Sequence, residues 1–204
     1  SDEQISVIAR LGSGSAARSV MGGFVVLKAG QGEDIASAKA IQIAPASHWP
    51  LHDIVICPSL KEKEHGSTEG HHLAHTSPHF AERLCQMPRR QQECIDAILQ
   101  RDFEKLQRVA EEDARNLHLV AQTSTPPLQY LTNATHRILF EITALRESER
   151  FPVLYTMDAG PTVHLVCTDD AVKTVKEFAH AQKDCTVFET KVGNGARIKN
   201  PVMI

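Results

Sequence analysis

Between residues 76 and 122, Phe80, Leu84, Met87, Ile95, Ile98, Leu99, Phe103, Leu106 and Val109 recur at three- and four-residue spacings among charged positions. This period is close to that of a helical turn, about 3.6 residues, and predicts amphipathic helices that bury one face. Pro88 and the polar step at Arg101 and Asp102 are expected to divide the stretch, since an interior proline removes a backbone donor. Another helix is predicted over 131–146, with Leu131, Ile138, Leu139, Ile142 and Leu145 on one side and Pro126 and Pro127 ending what precedes it.

The rest of the chain has a different texture. The β-branched run HDIVICP at 52–58 predicts a buried strand bounded by prolines, and VLYTM and TVHLVCT predict two strands joined by the DAGP turn. A helix over 171–181, preceded by Asp169 and Asp170, and a last strand CTVFETKV follow. Residues 1–50 combine a helical patch over 13–21 with short apolar runs at 23–27 and 40–44, as at the end of an α/β layer. Helices gathered in a block and strands gathered at the ends predict an α+β fold, with helices on one side of a mainly antiparallel sheet. A domain boundary is placed near Pro50, giving segments 1–50 and 51–204.

Charge and composition narrow the function. Lys and Arg number 22 against 25 Asp and Glu, so no broad basic field exists to hold nucleic acid. No apolar run approaches the roughly 18 to 20 residues that span a bilayer, so no membrane segment is expected. Five scattered cysteines without CxxC spacing argue against a disulfide framework or structural zinc and suit a reducing, cytoplasmic location. Cys57 and Cys167, in apolar strand contexts, read as small core residues. Lys61, Glu62, Lys63 and Glu64 read as a solvated charged turn.

Two segments carry candidate chemistry. ARLGSGSAARS at 9–19 has two readings: a flexible Gly-Ser linker, or an ordered loop opening a helix at which Ser13, Ser15 and Arg18 meet one anionic ligand. It is neither a GxxxxGK[ST] loop nor a GxGxxG loop. Asp158 in YTMDAGPTV is either a turn residue bonded to nearby amides or a carboxylate at the mouth of a strand. A third group, His65, His71, His72, His75 and His79, falls within fifteen residues. It reads as a solvated loop rather than a metal site, with Pro78 interrupting any continuous helix.

In order along the chain, ARLGSGSAARS with GGFV, SHWP, GSTEG before TSPHF, YTMDAGPTV and the closing KVGNG resemble the diphosphomevalonate decarboxylases. These enzymes belong to the superfamily of galactokinase, homoserine kinase, mevalonate kinase and phosphomevalonate kinase. The resemblance implies that superfamily's two-lobed fold, here the end of the N-terminal lobe plus the helix-covered sheet of the C-terminal lobe. It implies ATP-dependent decarboxylation of mevalonate 5-diphosphate to isopentenyl diphosphate, with ATP and Mg2+ as cofactors and a homodimer as the assembly. Asp158 corresponds to the aspartate facing the substrate's tertiary hydroxyl, Arg18 to the carboxylate-binding arginine, and Ser13, Ser15 and Ser67 to serines of the substrate cavity.

The family's ATP phosphate loop and its early Tyr-Trp-Gly-Lys segment would lie upstream of Ser1, so the chain is expected to be a fragment of a longer enzyme. GGFVVLKAG lacks the acidic and aromatic residues usual after GGFV, and Thr162 stands where the family has asparagine. The rival readings are a mevalonate 3-kinase or phosphomevalonate decarboxylase on the same scaffold, and a non-catalytic interaction module.

Overall fold

A computed structural model describes residues 1–32, 34–58 and 66–197. Ser1–Pro50 and the described residues from Val192 form one compact unit, and Leu51–Lys191 form a second. The closing segment, expected within 51–204, therefore belongs from Val192 with the first unit.

The first unit begins with a helix that hydrophobic periodicity did not announce, α1 (Asp2–Arg10). Reciprocal capping starts it: Ser1 Oγ accepts from the Gln4 amide, and the Gln4 side chain accepts from the Ser1 amine at 2.8 Å. α2 (Gly14–Ser19) follows, then the antiparallel pair β1 (Phe24–Leu27) and β2 (Ala40–Ala44). Ser6, fully buried, joins three of these elements: its hydroxyl donates to the Ala17 carbonyl at 3.0 Å and accepts from the Ala40 amide at 3.1 Å. The Gly-Gly of GGFV meets the closing GNG here. The Gly23 amide donates to Gly193 O at 2.8 Å, and a Cβ on Gly22 would stand 2.5 Å from Gly195 N, so only glycine permits the approach.

The second unit holds a four-stranded antiparallel sheet in the order β4 (Val153–Thr156), β5 (Val163–Thr168), β3 (Leu51–Cys57), β6 (Thr186–Lys191). Alternation sets its inner face: Ile54, Ile56, Val163, Leu165 and Cys167 are each fully buried. They pack with Ile138 and Ile142 of α6 (Asn133–Glu149) and Val175 and Ala179 of α7 (Val172–His180). The α+β expectation of helices on an antiparallel sheet holds. Asp169 and Asp170 precede α7 but do not cap it. Asp169 bonds His52 Nε2 at 2.5 Å, Asp170 accepts from Thr168, and the N-cap is Ala171.

The helical block is α4 (Phe80–Gln100) and α5 (Phe103–Gln122). Arg101 in the left-handed region and Asp102, whose carboxylate caps the Lys105 amide at 2.9 Å, turn one into the other at the expected step. Pro88, however, does not divide α4, which runs through it. An interior proline costs about 3 kcal/mol, and side chains flanking it brace the helix against α5. Arg83 Nη1 reaches Asp113 at 2.8 Å and Asn116 at 2.9 Å, while Arg90, 4% exposed, reaches Asn116 at 2.8 Å and Glu112 at 3.1 Å. Among the described residues no helix is long and apolar enough to cross a membrane.

Candidate functional site

In the second unit, β4 delivers Asp158. Val153, Leu154, Tyr155 and Met157 are buried, and Asp158 is the first exposed residue beyond them. A turn aspartate would accept bonds from neighbouring amides. The Asp158 carboxylate instead has no hydrogen bond or contact ion pair with any described residue.

Its electrostatic neighbours are two histidines of opposite character. His118 on α5 is 3% exposed, and burial pushes its ring down to about 4, against the opposing pull of the Asp158 charge. His164 lies opposite Thr156 in the β4–β5 register, and its Nδ1 meets Asp53 Oδ2 at 2.9 Å. The hydrogen bond to Asp53 holds the His164 pKa above its ordinary value, with the Asp53 and Asp158 charges acting in the same direction and burial opposing.

The two shifts have opposite signs in stability. His118, depressed, contributes stability that is present above its unfolded pKa of about 6.5 and lost as pH falls toward its folded value. His164, raised, contributes stability that is present below about 6.5 and lost as pH rises through its folded value. Asp53→Asn is therefore expected to lower stability by about 1 kcal/mol near pH 6 and by less near pH 8.5, checked by urea unfolding at both. A difference that grows with pH would contradict the pairing.

Ser67 opens α3 (Ser67–Leu73) and is exposed. A small cluster of Ala121, Leu128 and Tyr130 packs Leu73 of that helix and Ala159 of the Asp158 turn. Tyr130 also donates to Gly66 O at 3.3 Å, and a Cβ on Gly70 would stand 2.4 Å from its hydroxyl. One cluster thus carries the elements bearing Ser67 and Asp158, with no hydrogen bond between those two side chains. The histidines expected in a loop are partly helical: His71 and His72 lie on α3, His75 in the 3-10 turn Ala74–Thr76, and His79 at the α4 N-cap. His65 and the charged turn Lys61 to Glu64 lie outside the described residues. Among the described residues no group of three His, Cys, Asp or Glu is placed to hold a metal.

In the first unit the Gly-Ser segment is an ordered cap. Ser13, in extended conformation, accepts from the Ser15 amide at 3.2 Å, and the two hydroxyls are 2.7 Å apart. Arg18 stands in the last turn of α2, exposed and with no partner among the described residues. Ser13 and Ser15 are brought together, and Arg18 follows one turn on.

Two buried polar residues, Glu111 and His118, escaped sequence reasoning. They share a stripe with Ala114 and Ala121, at spacings of three and four, and all four are buried. A polar residue recurring in an apolar stripe was the available signal. Cys167 is fully buried with its thiol pushed up to about 12 by burial, as suits a core residue. Thr162 turns its hydroxyl to Cys57 Sγ at 3.8 Å.

Comparison with known proteins adds to this geometry. A model for the mevalonate 5-diphosphate decarboxylase C-terminal domain matches residues 54–199, and one for the diphosphomevalonate decarboxylase-like N-terminal domain matches residues 1–39. The diphosphomevalonate decarboxylase of Candida albicans is 35% identical over 205 residues, covering 96% of this chain and 56% of that protein. The human one is 35% identical over 184 residues, covering 88% and 45%. The chain spans about half the length of the curated relatives it matches. A crystal structure of mevalonate 5-diphosphate decarboxylase superposes with a TM-score of 0.89 at 29% identity, over 100% of this chain and 63% of that one. The Staphylococcus aureus enzyme gives 0.86 at 27%, over 96% and 59%. A structure described as MDDEF in complex with MVAPP, AMPPCP and magnesium gives 0.84 at 25%, over 96% and 60%.

Proposed function

Because the chain belongs to the diphosphomevalonate decarboxylase family, we propose that it forms the substrate half of an enzyme converting mevalonate 5-diphosphate to isopentenyl diphosphate, carbon dioxide and phosphate at the expense of ATP. The observation that carries this reading is Asp158: an exposed, uncommitted carboxylate where a buried strand leaves the core. Such a group is available to a substrate because no described residue forms a hydrogen bond or ion pair with it.

ATP, when bound, supplies the phosphoryl group that makes the tertiary hydroxyl a leaving group. Asp158 accepts or orients the hydroxyl proton, then stabilises positive charge developing at the same carbon as phosphate departs. The electron pair of the bond to the carboxylate becomes the alkene as carbon dioxide is lost. Arg18 holds that carboxylate in line, and its grip is positional, since tighter binding of the anion would oppose its conversion to a neutral product. The family resemblance assigns Ser13 and Ser15 of the first unit and Ser67 of the second to substrate contacts through their hydroxyls. ATP and Mg2+ are proposed as cofactors on the family resemblance, and the similar structure described as MDDEF in complex with MVAPP, AMPPCP and magnesium supports that reading. A homodimer is proposed on the family resemblance, and a cytoplasmic location on the five scattered cysteines without CxxC spacing.

The test uses the full-length protein that contains this chain, with ATP and mevalonate 5-diphosphate. Isopentenyl diphosphate and stoichiometric carbon dioxide are expected; a 3-phosphorylated product without carbon dioxide would mean a kinase instead. Arg18→Ala is expected to raise KM for mevalonate 5-diphosphate by about tenfold or more and also to lower kcat, from loss of a charged hydrogen bond of about 1.5–3 kcal/mol. Unchanged steady-state constants would remove Arg18 from the site.

A further inference from the structure

We propose that Gly195 is a positioning residue for Arg18, its main chain fixing the short helix that carries the guanidinium. The proposal deepens the reading of Arg18 as the group that holds the substrate carboxylate and rests on it.

α2 cannot place itself. It has six residues, and of these only Ala17 is buried; helices shorter than about 12 residues are marginal without tertiary contacts. With so little side chain in the core, main-chain bonds to other segments set its position. The last carbonyls of a helix have no partner within it, and here they are taken up one by one. Ala17 O accepts from Ser6 Oγ of α1 at 3.0 Å, Arg18 O from the Met21 amide at 3.2 Å, and Ser19 O from the Ala196 amide at 2.9 Å. Just beyond the helix, the Gly23 amide donates to Gly193 O at 2.8 Å. Segment 193–196 thus grips the end of α2 and the turn after it at two points.

Gly195 lies between those points. A Cβ there would stand 2.3 Å from Val20 O, 2.8 Å from Met21 C and 2.9 Å from Gly22 N. All three are main-chain atoms, at the C-cap of α2 and the two residues that follow it. No side-chain rotation relieves such a clash, so any side chain at 195 shifts the end of the helix or breaks the grip.

Arg18 follows wherever α2 goes. It stands in the last turn, and its Nη1 lies 4.0 Å from where a Cβ on Gly14 would be, so the side chain folds back along the helix to the first residue. That end carries the Ser13 and Ser15 hydroxyls, 2.7 Å apart. No described residue holds the guanidinium by a hydrogen bond or ion pair. Its place is therefore the place of the helix, and the helix is tied down by segment 193–196 and Ser6.

The test uses the full-length enzyme. Gly195→Ala is expected to lower kcat/KM for mevalonate 5-diphosphate by about tenfold, through misplacement of Arg18, with KM for ATP little changed. Added to Arg18→Ala, the same change should cost less than about twofold further, because the two act through one contact. Ala196→Pro, which deletes the donor to Ser19 O, should behave like Gly195→Ala, and Ala196→Gly, which keeps it, like wild type. Normal kinetics in Gly195→Ala, or the full loss repeated in the Arg18→Ala background, overturns the proposal. Unchanged constants in Arg18→Ala itself defeat the reading beneath it, whereas an impaired Arg18→Ala beside a normal Gly195→Ala defeats only the positioning role. If the substituted proteins lose their cooperative melt, hydrogen exchange at the Ala196 amide of the wild type decides. Slowing by mevalonate 5-diphosphate that disappears in Arg18→Ala upholds the coupling; no slowing, or equal slowing in both, overturns it.

Discussion

Replacing Asp158 by Asn in the full-length enzyme is expected to cut kcat by about a thousandfold or more while KM for mevalonate 5-diphosphate stays within about threefold. The asymmetry follows from what the carboxylate does. Proton acceptance and stabilisation of positive charge are needed only as the reaction proceeds, so their loss falls on the transition state rather than on ground-state binding. Stability should change little, because the Asp158 side chain is exposed and bonded to no described residue. Steady-state kinetics with carbon dioxide release as the readout, beside a thermal melt, checks both halves. Turnover within a few-fold of wild type would end the catalytic assignment.

Glu111→Ala should be the most destabilising single change in the second unit, by about 3 to 5 kcal/mol. Glu111 is 5% exposed and accepts from Arg146 Nη1 at 2.5 Å and from the Tyr155 amide at 3.4 Å. Its removal strands the Arg146 guanidinium, whose side chain is only 16% exposed, and leaves a strand amide without its acceptor. The cost is that of an uncompensated buried charge, not of one hydrogen bond. For a domain of this size the melting midpoint should drop by roughly 10 °C. The paired change of Glu111 and Arg146 to Met should recover much of the loss, since it removes both charges together. A Glu111→Ala midpoint within a degree or two of wild type would show that the pair is not structural.

Particular elements show how far sequence reasoning reached. The run HDIVICP was legible as a buried strand because β-branched residues bounded by proline have few other uses. The α4–α5 turn was legible at Arg101 and Asp102 because a helix end needs a stop and the next helix a cap. Asp158 and Arg18 were found through motif resemblance, and their roles rest on that resemblance and on their exposure. Pro88 misled because local backbone chemistry forbids what the Arg83 and Arg90 bonds to α5 tolerate. α1 was missed because Ile5 and Ile8, its apparent core residues, are 54% and 68% exposed, while the residue it buries is a serine. The histidine segment was read as a loop, yet its first part is helical, with Gly70 under the Tyr130 hydroxyl.

Periodicity, turn residues and ordered motifs determined by themselves the α+β class, most of the helices and strands, the family, and the aspartate on which its proposed chemistry turns. All of these depend on patterns within a few residues or on types in a fixed order. Only the tertiary structure decided which polar residues are structural. Whether Glu111 or Arg146 faces water or an unpaired strand edge depends on β4 being last in the sheet and on α5 lying against it. Strand order and helix docking arise from contacts far apart in the chain, and no local spacing encodes them. Asp158 illustrates both levels: its identity is written in DAGP, while its availability follows from a turn whose Ala159 packs on the Tyr130 cluster and from a carboxylate bonded to no described residue.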